Sequence, residues 1–370
     1  MTVADITMVD RPNRLRPQFF VLPLLMVFTS PALSVLTVLA LVALGGVYTR
    51  IQKRLFWPLL FILAAFLLAF LGVLFYSPYP AERVESSKFL FMALTFWVGF
   101  SSGLQNAQIH RLAMIISGTI LGWYLFSVSL GVDIPFFYPP DFNNSAVLIV
   151  FLAFLLTEGR GFVFRMAIIG LLVVFSDLAQ SRIVLLFAPA FFVSQPVSFS
   201  VVRVVGISIC ILAGIYLMAS AGKFGSFSDL VRIEIYTAGL TVIVQNGFQV
   251  FTSGPQNFVD ALNAILPPFI TNRFYVEHAH NAFLDIIGSY GIGTATCFIV
   301  FFLGILRFSI IKKNDTLRNQ IIIILLLMMV ETVISDSRVM FAVLLFLGMQ
   351  AGHTVDKSKQ TKSAQLFVSR

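Results

Sequence analysis

LFWPLLFILAAFLLAFLGVLF, Leu55–Phe75, carries no charged side chain and matches the ~20 residues needed to cross a bilayer. Leu112–Gly131 and Val201–Ser220 approach the same length. The 370-residue chain around them is 58% hydrophobic and 11% charged, with a mean hydropathy of +0.92. A soluble domain cannot hide that much apolar surface, so these runs must face lipid or one another. Long unbroken runs replace the alternation that a membrane β-barrel requires. The expected fold class is therefore an all-α, polytopic membrane protein.

The net charge of +8 does not indicate a nucleic-acid partner, because Lys and Arg fall in short clusters between apolar runs, as topological anchors do. Cys210 and Cys297 both lie inside apolar segments and form neither a disulfide nor a zinc pattern. Phe19–Thr29 resembles the apolar core of a signal peptide. The hydrophobic segment that follows it, and then Arg50, Lys53 and Arg54, favour a retained membrane hairpin.

Counting apolar segments gives about twelve transmembrane helices, near 19–30, 33–49, 55–76, 89–104, 112–131, 144–157, 162–179, 182–195, 202–219, 281–307, 319–335 and 339–352. With the N-terminus inside, this assigns 18 of the 25 Lys and Arg to the cytoplasmic side, as the positive-inside rule prefers. The whole chain, 1–370, is then a single integral-membrane domain with both termini cytoplasmic. A large outer loop spans 221–278, and 353–370 form a cytoplasmic tail. Within the loop, Ser226 and Asp229 have capping-box spacing ahead of an apolar helix. A second helix, Pro255–Leu266, carries Phe258, Val259, Leu262, Ile265 and Leu266 on one face and stops at Pro267-Pro268. Such helices would roof over whatever enters from the lipid.

Seven basic residues fall outside, and three of them, Arg182, Arg232 and Arg338, sit near the starts of helices. A cation in a first turn opposes the helix dipole at ~0.3–1 kcal/mol. A bound anion reverses that effect, so the three suggest a phosphate or diphosphate ligand. Each could instead snorkel to lipid phosphates or pair with Asp177, Asp336 or Glu234.

The loop ends in Glu277-His278-Ala279-His280-Asn281, which holds two of the 4 histidines. Three readings compete. The cluster could bind metal, although residues two apart share a face only in an extended strand, and no Cys or Asp-rich set accompanies them. One or both histidines could cap the following helix. Alternatively, a neutral His280 could act as a general base, since imidazole titrates near neutral pH.

His280-Asn281-Ala282-Phe283-Leu284, followed by Gly288, Gly291 and Gly293, resembles the His-Asn-x-x-Leu…Gly signature of the O-antigen ligase and polysaccharide polymerase superfamily. Ser181-Arg182 is similar to that family's Ser-Arg pair, and Arg232 to the arginine that begins its large periplasmic loop. The resemblance implies a GT-C-like, metal-independent glycosyltransferase without cofactor in the bacterial inner membrane. It would move a glycan from an undecaprenyl-diphosphate donor to a saccharide or lipid-saccharide acceptor at the periplasmic face. His280 would be the base and Arg182 and Arg232 the diphosphate ligands, with Asn281, His278 and Arg338 in support. Many members have a Pro-x-x-Gly-x-Gly-like turn where this chain reads Gln245-Asn246-Gly247-Phe248, so ligase and polymerase both stay open. The alternative from another class is a flippase for the lipid-linked oligosaccharide, which should carry midplane ionisable groups and repeat symmetry.

Overall fold

The computed structural model describes residues 20–21, 53–102, 104–130, 142–157, 160–178, 227–252, 254–330 and 337–368. The described residues are α-helical, in the order α1 (Lys53–Tyr76), α2 (Pro80–Glu85), α3 (Lys88–Ser101), α4 (Asn106–Leu130), α5 (Phe142–Thr157), α6 (Phe162–Leu178), α7 (Phe227–Gln245), α8 (Pro255–Ile265), α9 (Pro268–Thr271), α10 (Ala282–Tyr290), α11 (Ile292–Ile311), α12 (Asp315–Val330) and α13 (Ser337–Val368).

The expected twelve-span, GT-C-like architecture is corrected. Among the described residues three helices are long and apolar enough to cross a membrane: Leu55–Tyr76, Ile292–Ile311 and Arg338–Val355. For one counted span the reason is length: α3 is a helix of 14 residues, and at ~1.5 Å per residue it reaches roughly 21 Å, short of the ~30 Å hydrocarbon core. The described parts of α5, α6 and α12 cover 16, 17 and 16 residues and border residues outside the described set. The counted spans 33–49, 182–195 and 202–219, and most of 19–30, lie outside the described residues. Two boundaries also differ: the run 281–307 is broken at Gly291, and the expected tail continues α13 as helix to Val368. The protein is α-helical and membrane-associated.

Pairs of helices in close contact form the body. α13 lies along α3 with glycines at the crossing. A Cβ on Gly99, Gly348 or Gly352 would fall 2.2 Å from the carbonyl oxygens of Leu345, Phe96 and Phe100 respectively. Gly348-Met349-Gln350-Ala351-Gly352 is the small-xxx-small spacing that lets helix backbones approach in lipid. α11 lies along α1, where Gly304 makes room for the ring of Pro58, whose Cγ is 2.7 Å from a Cβ built there. Edge-on aromatic pairs fill the gaps, Phe66–Phe298 at 5.1 Å and Phe96–Phe301 at 5.3 Å between centroids. Phe56, Trp57, Leu60, Leu63 and Leu67 of α1, with Ile299 and Leu303 of α11, point outward. That apolar outer face suits contact with lipid chains. The Arg338–Val355 window of α13, by contrast, is 89% buried in protein.

The loop helices make a second, smaller core. Val231, Ile235, Ala238 and Val242 of α7 meet Phe258 and Leu262 of α8, with Val276 and Ala279 beneath. α8 follows the sequence reading at Pro255, in its first turn, and at Phe258, Val259 and Leu262, which are buried, whereas Ile265 of the expected apolar face is exposed. This roof rests on α10, where Gly288 admits Phe258: a Cβ there would meet its ring at 2.2 Å. Gly291, at φ +91, separates α10 from α11. The Ile292 N–H leaves the helix to donate to the Gln249 carbonyl at 2.9 Å, and a Cβ on Gly291 would strike the Val250 carbonyl at 2.1 Å. The returning loop after α7 therefore wedges into the break.

Candidate functional site

Asn281 starts α10 as its N-cap, with Oδ1 accepting the Phe283 and Leu284 N–H groups at 3.0 and 3.2 Å. Of the readings offered for the cluster, helix capping is filled by Asn281. Its Nδ2 donates to the Met329 carbonyl at 2.9 Å. Met329 lies near the last described residue of α12. One side chain thus caps α10 and ties the motif to α12, the helix that precedes Arg338.

His280 has φ +51, in the left-handed region that non-glycine residues enter at a cost of about 1–3 kcal/mol. The surroundings fix it there. Tyr236 of α7 donates its hydroxyl to the His280 carbonyl at 3.0 Å. On the other flank, the Ala279 N–H donates to Asp285 Oδ1 at 2.8 Å, with both residues buried. Arg232 precedes Tyr236 by one helical turn, so the two share a side of α7. The segment leading in is fixed as well. Asn263 of α8 accepts the Val276 N–H at 3.0 Å and donates to the Val276 carbonyl at 2.8 Å, pairing with it as a neighbouring strand would.

The structure thus brings together His280, Asn281 and the helix of Arg232. Arg338 lies at the start of the described part of α13, half-buried. Arg182 lies outside the described residues. His278 takes a different place from His280 and lines a cleft of about 680 Å³ between α2, α3, α8 and α10.

Beside that cleft is a hydrogen-bonded network. Asp260 of α8 accepts from the hydroxyls of Tyr79 at 2.6 Å and Tyr275 at 2.5 Å, and from Gln256 Nε2 at 2.9 Å. Glu82 of α2 receives the Gln256 N–H at 2.6 Å and the Ser77 hydroxyl at 2.6 Å, placing a carboxylate at the positive end of α8. The donors to Asp260, Tyr275 first, then Tyr79 and Gln256, hold its carboxyl below the usual carboxylate range. Tyr275 is 53% exposed. Its hydroxyl is nevertheless drawn into the network, and that local burial, then the bond to Asp260, pushes the phenol up to about 12. Asp260 also raises Tyr79, chiefly through their hydrogen bond.

Sequence reasoning missed Tyr236, Asn263, Asp260 and Tyr275. Tyr236 had a usable signal, its position one turn from Arg232. The network had none, because Tyr79 and Asp260 are 181 residues apart in the chain. Among the described residues, no three His, Cys, Asp or Glu side chains converge as a metal site. A comparison with known proteins finds no family model that matches the chain and no curated protein similar to it.

Proposed function

We propose that the protein is a membrane glycosyltransferase that moves a glycan from an undecaprenyl-diphosphate carrier to a sugar hydroxyl, as an O-antigen ligase or a surface-polysaccharide polymerase. The observation that carries this reading is the Tyr236–His280 bond, which joins the helix of Arg232 to a strained histidine 44 residues beyond Tyr236. A base and a diphosphate-binding cation need that proximity. The backbone strain at His280, over-determined by Tyr236, Asp285 and Asn281, is the kind of arrangement found where geometry serves chemistry.

In the proposed reaction the acceptor hydroxyl attacks the anomeric carbon of the donor and His280 takes its proton. A new C–O bond forms as the bond from that carbon to the diphosphate breaks. The electron pair leaves on the diphosphate oxygen, where Arg232, with Arg182, offsets the charge. The diphosphate is already a good leaving group, so the step needs no separate acid.

The outer face of the inner membrane fits this chemistry, and charge supports the orientation. Lys53 and Arg54 open α1, Lys312 and Lys313 close α11, and Lys357, Lys359 and Lys362 lie beyond the Arg338–Val355 span. In each case the basic group is at the end away from the roof, the arrangement that the positive-inside rule favours for a cytoplasmic end. The test uses purified protein and an undecaprenyl-diphosphate glycan. Transfer should survive chelation, fall by roughly 10²–10⁴-fold in His280→Ala, and weaken in Arg232→Ala. Activity that EDTA abolishes and a divalent ion restores would overturn the metal-free mechanism.

A further inference from the structure

The geometry points to the cleft beside His278 as the seat of the acceptor, where it holds a neutral saccharide against the pinned ring of Tyr275; this inference rests on the glycosyl-transfer reading above. The volume, about 680 Å³, falls within the ~300–1,000 Å³ of small-ligand pockets. Charge excludes the donor's diphosphate from this space. Glu82, Asp260, Glu277 and Asp285 line it, with Lys88 as the lone Lys or Arg among the lining residues. A polyanion would meet net repulsion there, whereas the arginine side of the motif belongs to α7.

The cleft is also not simply an acidic patch. Three tyrosines line it, Tyr79, Tyr275 and Tyr290, with Phe89 and Ile286 behind them. A large aromatic ring on a surface normally moves among rotamers. Tyr275 shows its ring while its hydroxyl bonds Asp260 and receives Gln256 Nε2 at 2.9 Å. An aromatic face that is exposed yet fixed in advance loses little entropy when a flat, C–H-rich sugar face settles on it. Hydroxyls around the sugar rim need acceptors and donors at fixed places, and Glu277, His278, Asp285 and Ser289 border the same space. Both oxygens of Asp260 and both of Glu82 are already engaged within the protein. Those two carboxylates build the wall, leaving recognition to the tyrosine rings and the motif side.

The position relative to the chemistry follows from the chain itself. His278 borders the cleft and His280 is two residues further on, joined by Ala279, which the Asp285 bond fixes. A saccharide in the cleft would present its terminal hydroxyl toward the turn, while the lipid diphosphate approaches from the side of Arg232.

The probe is the set of short neutral oligosaccharides released by mild acid from the producing cell's own surface glycan, titrated into the purified full chain and followed by saturation-transfer NMR. Inorganic pyrophosphate is titrated separately. Tyr275→Ala should weaken oligosaccharide binding at least tenfold, and Tyr275→Phe, which keeps the ring but loses its anchor, by a smaller factor. Pyrophosphate binding should be unchanged in both. If Tyr275→Ala does not fold, Tyr275→Phe and Asp260→Asn carry the same comparison. Unchanged oligosaccharide affinity in folded variants, no binding to the wild type, or pyrophosphate displacing the sugar would each overturn the assignment. Glycan binding that depends on Tyr275 in a protein whose transfer ignores His280 and Arg232 would retain the cleft and reject the transfer mechanism. The reverse pattern would reject the cleft alone.

Discussion

In the helical body, α3 and α13 touch backbone to backbone, through Gly99, Gly348 and Gly352. In the roof, α2, α8 and the segment before α10 meet through side-chain hydrogen bonds centred on Glu82, Asp260 and Asn263. The difference follows from the surroundings. Between apolar helices in lipid there is little hydrophobic gain, so close van der Waals packing does the holding. In the roof, polar groups can be satisfied in several ways, and directed bonds choose one geometry. The body therefore supplies a rigid frame, and the roof supplies placement of the His278–Asn281 turn.

The largest effect should come from the body. Gly348→Leu would drive a side chain into the Phe96 carbonyl, beyond the ~1–3 kcal/mol of ordinary overpacking. The monodisperse peak in detergent gel filtration should be lost, while the neighbouring Met349→Leu keeps it. A well-behaved Gly348→Leu protein would break the backbone-contact account.

A smaller and local effect is expected at the join. Asn281→Ala removes the α10 cap, at about 0.5–2 kcal/mol, together with the tie to Met329. Amides of Phe283 and Leu284 should exchange faster by mass spectrometry while those of α3 and α13 keep their protection. Equal loss in both regions would show that body and roof are one cooperative unit.

The smallest effect concerns pH and should be confined to the roof. Asp260 has a depressed pKa, so its contribution is present above the ordinary carboxylate range and is lost as pH falls through the lower folded value. Tyr275 has a raised pKa, so its contribution is full below its ordinary 10.0 and is lost as pH rises through about 12. Roof exchange should change at both ends, accompanied by phenolate absorbance at the alkaline end alone, with body exchange flat. Titration of Tyr275 near its ordinary value would contradict the pinned ring.

What the sequence made legible divides along the same line. The roof helix at Pro255 could be read almost to the residue, because a first-turn proline, one apolar face and Pro267-Pro268 are local signals. Hydropathy made the body's helices legible but not how many cross a membrane. The apolar run of α3 looks like a span until its helix is seen to cover 14 residues. The break at Gly291 was hidden because it depends on Val250 packing from a distant loop. At the proposed site, residue type and spacing single out the boundary cluster and Arg232 as candidates, but not the Tyr236 bond that ties the helix of Arg232 to His280. The parting of His278 from His280, with His278 alone on the cleft, arises from tertiary contacts at Tyr236 and Asp285.

The most direct test of the central claim, that the chemistry belongs to the His280 side of this turn, compares His280→Ala with His278→Ala in the same transfer assay. The account predicts that His280→Ala lowers kcat by roughly 10²–10⁴-fold. His278→Ala should change mainly the KM for the acceptor, by no more than about tenfold. Full turnover in His280→Ala with collapse of kcat in His278→Ala would contradict it.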